Sequence, residues 1–160
     1  MTGVNKNRIL TGVGVLVVIW MLMNAYPVSA TSIDLQPGSN EVVVDGNSLW
    51  VEEAPYIKEG RTMVPLDLIS QAFQAPADTF YTDNGLQVRI LFRNVTVFLQ
   101  VGEQGAHFIK QFDQEAVTKM DVAPEIVDGR VFVPLCFIAQ GWGAIVNWDD
   151  STECITIQKE

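Results

Sequence analysis

Short apolar runs alternate with polar punctuation along the whole chain. Val42–Val44 and Leu49–Val51 flank Asp45-Gly46, which reads as two strands around a tight turn. Arg61–Val64 reads as a short strand, and Val64 should end it, because a residue before proline is pushed toward extended conformations. Pro65 is then expected in the first helical turn, where its missing N–H has no helical partner. Leu66, Ile69 and Phe73 follow at i, i+3 and i+7, which is one apolar helix face, and Ala75-Pro76 should stop the helix. Beyond it, Thr79–Thr82 and Leu86–Phe92 flank Asp83-Asn84-Gly85, where Asn-Gly is a strong hairpin signal. Arg93-Asn94 predicts a second tight turn into Val95–Val101, and Gly102 and Gly105 flank a break. Late in the chain, Ile145–Trp148 and Cys154–Ile157 read as strands around Asp149-Asp150-Ser151.

One pattern occurs twice, 69 positions apart. Residues 54–75 and 123–144 are identical at 11 of 22 positions without a gap. The shared positions include Gly60 and Gly129, Val64 and Val133, Pro65 and Pro134, Leu66 and Leu135, and Ile69 and Ile138. These are residue types that a turn, a strand end and a buried helix face require. Phe73 is answered by Trp142, so an aromatic is kept at the same point of the helix. One copy alone buries too little apolar surface to be stable, so the copies should pack together. The expected fold is α+β: two strand-helix-hairpin repeats, about 41–101 and 105–158, packed as one module of mostly antiparallel sheet with two short helices.

The first thirty residues change the picture of location. Lys6 and Arg8 precede fifteen uncharged residues, Ile9–Met23, and Val28-Ser29-Ala30 follows. That is the pattern of a secretory signal, with cleavage expected after Ala30. Fifteen residues are short for a bilayer core about 30 Å thick, so membrane association is expected only if the segment is retained. Residues 31–40, polar with Pro and Gly, read as a flexible lead-in to a domain at 41–160. The full chain of 160 residues carries a net charge of −9; from residue 31 on, eight basic and nineteen acidic residues leave −11. With no Lys/Arg run, nucleic acid is not an expected partner. In an exported chain Cys136 and Cys154 are able to pair, yet two cysteines make no disulfide framework.

The motif Ala-Pro-x-Ile-x-x-Gly-Arg-x-x-Val-Pro-Leu-x-x-Ile, closing on Ala144-Ile145-Val146-Asn147-Trp148-Asp149, resembles the copper amine oxidase N-terminal-like, or stalk, domain. The strand Thr96–Gly102 fits the same pattern, and the resemblance covers roughly 41–158. The family usually carries a basic residue after Val-Pro-Leu; here Asp67 and Cys136 stand there. The resemblance implies an exported bacterial surface module, of a kind that commonly accompanies cell-wall hydrolases. It implies neither copper nor oxidation.

The residues agree on chemistry. A copper–quinone centre needs several imidazoles and a buried tyrosine, and His107 is the one histidine, read as a strand residue. No catalytic, cofactor-binding or metal-ligating residue is therefore expected. The acidic groups Asp121/Glu125/Asp128 and Asp149/Asp150/Glu153 fall in predicted turns, where carboxylates commonly cap backbone N–H groups. They leave a small hydrolase as a remote reading and a calcium site in the second turn as an open one. Candidate ligand-binding residues are Trp50, the most plausible exposed aromatic, and Arg61 and Arg130, whose guanidinium forks suit a carboxylate or sugar acid. Trp142 and Trp148 are expected in the core. The function expected is an exported, non-catalytic surface or wall-associated binding or spacer module, with a cell-wall glycan or a surface protein as partner. The alternative is a non-catalytic accessory subunit of a wall-acting hydrolase.

Overall fold

A computed structural model describes residues 31–110, 114–149 and 154–159. The signal-like segment, and the residues 150–153 invoked for calcium, lie outside them. Antiparallel strands and two short helices make an α+β fold of three sheets.

The first sheet has the order β13-β14-β1-β2-β3. It is built from β1 (Thr31–Leu35), β2 (Glu41–Val44), β3 (Asn47–Trp50), β13 (Ile145–Asp149) and β14 (Cys154–Lys159). Here the expected lead-in is corrected. Residues 31–35 are a central strand, pairing Ile33 with Val44 on one side and Ile157 on the other. The physical reason is a period-two pattern too short to notice in a polar stretch: Ile33 and Leu35 point inward, and Ile33 is only 1% exposed. The Asp45-Gly46 turn between β2 and β3 forms as expected, both residues taking positive φ (49° and 78°).

The second sheet is a meander, β10-β9-β8-β7-β6. Its strands are β6 (Ala77–Thr82), β7 (Gly85–Phe92), β8 (Val95–Gln100), β9 (Gly105–Lys110) and β10 (Gln114–Lys119). Val88, Ile90, Phe92, Val97, Leu99, Ala106 and Phe108 alternate onto the core. The β6–β7 turn differs by one residue from the expected Asn-Gly centre. Thr82 pairs with Gly85, so Asp83 and Asn84 are the turn, and the positive φ falls on Gly85 at 112°.

The third sheet, β11-β12-β5-β4, comprises β4 (Tyr56–Lys58), β5 (Arg61–Pro65), β11 (Glu125–Val127) and β12 (Arg130–Pro134). Glu59-Gly60 and Asp128-Gly129 make its tight turns, with φ of 50°, 74°, 49° and 81°. At its centre β5 pairs with β12, Val64 opposite Val133, both buried completely. Pro65 and Pro134 are extended (φ −57°, ψ 142° and φ −72°, ψ 106°) and close these strands; they do not open the helices from within, as the sequence led us to expect. A proline brings no N–H to a ladder and tolerates extended ψ, so it ends the pairing and releases the chain into a helix one residue later.

The helices α1 (Leu66–Ala72) and α2 (Leu135–Gly141) have seven residues each. Such lengths are unstable in isolation, so packing holds them. Leu68, Ile69 and Ala72, and Leu135, Ile138 and Ala139, enter the core. The expected face also holds for Phe73 and Trp142, which are buried. Trp142 stacks on Phe92 at 4.7 Å and meets Phe73 edge-on at 5.2 Å. The first helix ends before Ala75-Pro76, because Gln74 already takes positive φ (50°). Trp148 departs from its expected core position, being 47% exposed. It lies on β13, at the edge of its sheet, where the inward side reaches past the rim of the core.

Gly141 has an ordinary helical backbone, yet a Cβ there would lie 2.2 Å from the Phe108 ring. Its counterpart 69 positions earlier is Ala72. We expect Gly141→Ala to destabilise by about 1–3 kcal/mol through overpacking. Denaturant unfolding checks this, with restoration on shrinking Phe108 in the double variant.

Candidate binding site

Arg61 begins β5 and Arg130 begins β12, each placed by the tight turn before it. Both arginines are engaged. Arg61 Nε donates to Asp121 Oδ2 at 2.8 Å, and its Nη2 contacts the same oxygen. Arg130 Nη2 is paired with Glu52, and its Nη1 lies 3.7 Å from Asp67 Oδ2. The pairing is crossed: Glu52 and Asp121 are themselves 69 positions apart, and each arginine grips the acid nine positions before the other arginine. An arginine so held must exchange its partner before it takes a ligand carboxylate.

The surroundings of the two arginines differ in charge. Beside Arg61 is a cavity of about 190 Å³ lined by Thr62, Lys119, Asp121, Cys136 and Gln140. Beside Arg130 is a more open hollow lined by Asp67, Ser70, Ala77 and Thr79. Cys136 is a free thiol, and burial pushes its pKa above the usual value. The side chain of Cys154 lies outside the described residues.

Trp50 ends β3 on the free edge of the first sheet and is 74% exposed. Its neighbour Val51 is buried, and Glu52 reaches Arg130. Trp50 thus lies two residues from the partner of Arg130, and Arg61 sits with a separate set of groups. His107 is a strand residue on β9, with Nδ1 2.7 Å from Glu115 Oε1. Among the described residues, no three His, Cys, Asp or Glu side chains cluster to hold a metal.

A third cluster was not anticipated. Tyr56 and Lys58 lie on β4, and Glu125 lies on β11, at opposite edges of the third sheet. Nevertheless the Tyr56 hydroxyl donates to Glu125 Oε1 at 2.6 Å, and Lys58 Nζ donates to Oε2 at 2.5 Å. The sheet therefore curls until its edges meet, around Met63, Val122 and Phe132. The Tyr56 and Phe132 rings lie 5.0 Å apart. Burial, and then the Glu125 carboxylate, push the Tyr56 phenol above its ordinary pKa. The Lys58 ammonium, and then the Tyr56 hydroxyl, hold Glu125 below the usual carboxylate range. A group held ionised this way is no proton donor near neutrality, and Asp121 is committed to Arg61. The only sequence signal was an acid and a base in three-residue segments beside two Gly turns.

A family model described as copper amine oxidase N-terminal domain matches residues 27–84 and 77–157. Each matched segment contains one Gly-Arg-x-x-Val-Pro-Leu sequence. No curated protein and no solved structure matches.

The depressed Glu125 pKa contributes stability that is present above its unfolded value of about 4.3 and lost as pH falls through the folded value. Glu125→Gln should be less stable than the parent at pH 7, and the difference should shrink below about pH 4. Thermal melts across pH check this. The exposed arginine pairs should contribute less: Arg61→Gln and Arg130→Gln should each lose under about 1 kcal/mol, decreasing with added salt. Unfolding at low and high ionic strength reads that out.

Proposed function

The chain belongs to the copper amine oxidase N-terminal domain family, and from that premise we propose that it is an exported, non-catalytic module that binds or spaces at the cell surface or wall. The family is the non-catalytic N-terminal part of copper amine oxidases. The observation that carries the binding half of this reading is Trp50. A tryptophan 74% exposed, on the open edge of a sheet, presents a large rigid apolar face with a polar rim of Glu41, Ser48 and Glu52 nearby in the chain. Tryptophans of this kind dominate the affinity of many binding surfaces. A sugar ring of a wall glycan presents the matching flat apolar face. The export half rests on the charge-then-apolar pattern of residues 1–30.

We also read the two motif segments as copies of one unit packed about an approximate twofold axis. The crossed arginine pairs support this. So do backbone bonds that recur between corresponding positions, one partner 69 residues on and the other 64. Pro55 and Pro124 carbonyls accept from Gly38 and Gly102 at 2.7 and 2.8 Å. Val51 and Met120 amides donate to Asn40 and Gln104 carbonyls at 2.9 and 2.7 Å. Asn40 and Gln104 side-chain amides donate in turn to the Glu52 and Asp121 carbonyls. On this reading the repeated motif serves the fold, and binding belongs to what differs between copies. Trp50 is such a difference, since Lys119 stands at the corresponding position.

Retention on purified wall glycan tests the proposal. Trp50→Ala should weaken it by about 2 kcal/mol, or about thirtyfold, with an unchanged melting temperature. Equal retention of the variant, or none by the parent, contradicts it. Fractionation of the host with N-terminal sequencing tests export: the chain is expected outside the cytoplasm, starting at Thr31.

A further inference from the structure

We propose that β10 is a self-pairing edge, through which two copies of this chain join into one continuous antiparallel sheet. β10 ends the meander, so among the described residues one side of its backbone has no neighbouring strand. It is also bare on both faces. Glu115, Ala116, Val117, Thr118 and Lys119 are all exposed, although Ala116 and Thr118 lie opposite Phe108 and Ala106, which are buried. Among the described residues the core thus stops at β9, and β10 extends beyond it with its side chains exposed. Val117 is 66% exposed. An edge of this kind is a template for another strand.

Charge identifies the occupant as a second copy. In an antiparallel pairing centred on Val117, Val117 faces its own equivalent and Ala116 faces Thr118. Glu115 of each chain then faces Lys119 of the other, giving two reciprocal opposite-charge pairs. This is the isologous arrangement a twofold dimer requires. The other edge strands of the described sheets lack that symmetry. β3 has no charged residue, β4 has only Lys58, and β6, β11 and β13 carry only an acid: Asp78, Glu125 and Asp149. Lys58 and Glu125 are moreover spent on each other. In a chain of net charge −9, copies repel in general, and β10 is the edge where the local charges attract. Glu115 keeps its contact with His107, which lies on the neighbouring strand.

The test uses the full chain in detergent, with Cys136→Ser and Cys154→Ser. Val117→Cys places two thiols directly opposite each other, within disulfide range for facing strand residues. Mild oxidation should give a covalent dimer on a non-reducing gel, much faster than Tyr81→Cys, an exposed control on the β6 edge. Adding Glu115→Lys, or adding Lys119→Glu, should slow it about tenfold, because like charges then face each other. Mixing those two chains should restore the rate, since their charges are complementary. Circular dichroism establishes that each variant is folded. A Val117→Cys chain that crosslinks no faster than the control, that crosslinks only to a different protein, or whose rate ignores both charge reversals overturns the proposal.

Discussion

The pairing of β5 with β12 is the contact on which the rest of the structure depends. Val64 and Val133 face each other there with no solvent exposure. Proline follows each valine, so the ladder ends on both sides after a few residues, and a helix leaves from each end. Both helices pack against both central strands. The long loop between the motif segments becomes the meander, which closes over the same apolar surface through Val88, Ile90, Val97 and Leu99. The first and last described strands lie at the centre of another sheet, with Ile33, Leu35, Ile155 and Ile157. One main core results, to which the first, middle and last described segments all contribute.

Polar contacts then act around this core. The arginine pairs are exposed and contribute little free energy each. Their crossed arrangement matters more for which segment lies beside which. The Tyr56–Lys58–Glu125 cluster is different in kind, because it joins two edges of one sheet that the backbone leaves unpaired. It closes the third sheet around a small core of its own, Met63, Val122 and Phe132. The surfaces proposed above for binding are what these demands leave exposed: the β3 edge with Trp50, and β10.

Much of this was legible in the sequence where the signal is local. Gly60 and Gly129 announce turns, Leu66, Ile69, Leu135 and Ile138 announce helices, and Asp45-Gly46 announces a hairpin. Signals that depend on distant partners were not legible. Ile33 and Leu35 sit in a polar stretch, and only the arrival of β14 and β2 on either side makes them a central strand. Trp148 carries the composition of a core residue and lies instead at a sheet edge. Nothing local marks Gly141 either; its reason is the ring of Phe108, which occupies the place a Cβ would take. Of the candidate site, Trp50 was singled out as exposed only because Trp142 and Trp148 were expected in the core, and that holds for Trp142 alone. The acids that hold Arg61 and Arg130 were not, because each comes from a segment about 60 or more positions away.

Native-state hydrogen exchange addresses the central claim most directly, that the β5–β12 seam makes both motif segments one cooperative unit. The account predicts that amides of β5 and β12 exchange most slowly of all. It also predicts that α1 and α2 open with the same free energy, equal to that of global unfolding. Two distinct opening free energies, with one segment exchanging while the other stays protected, would contradict it.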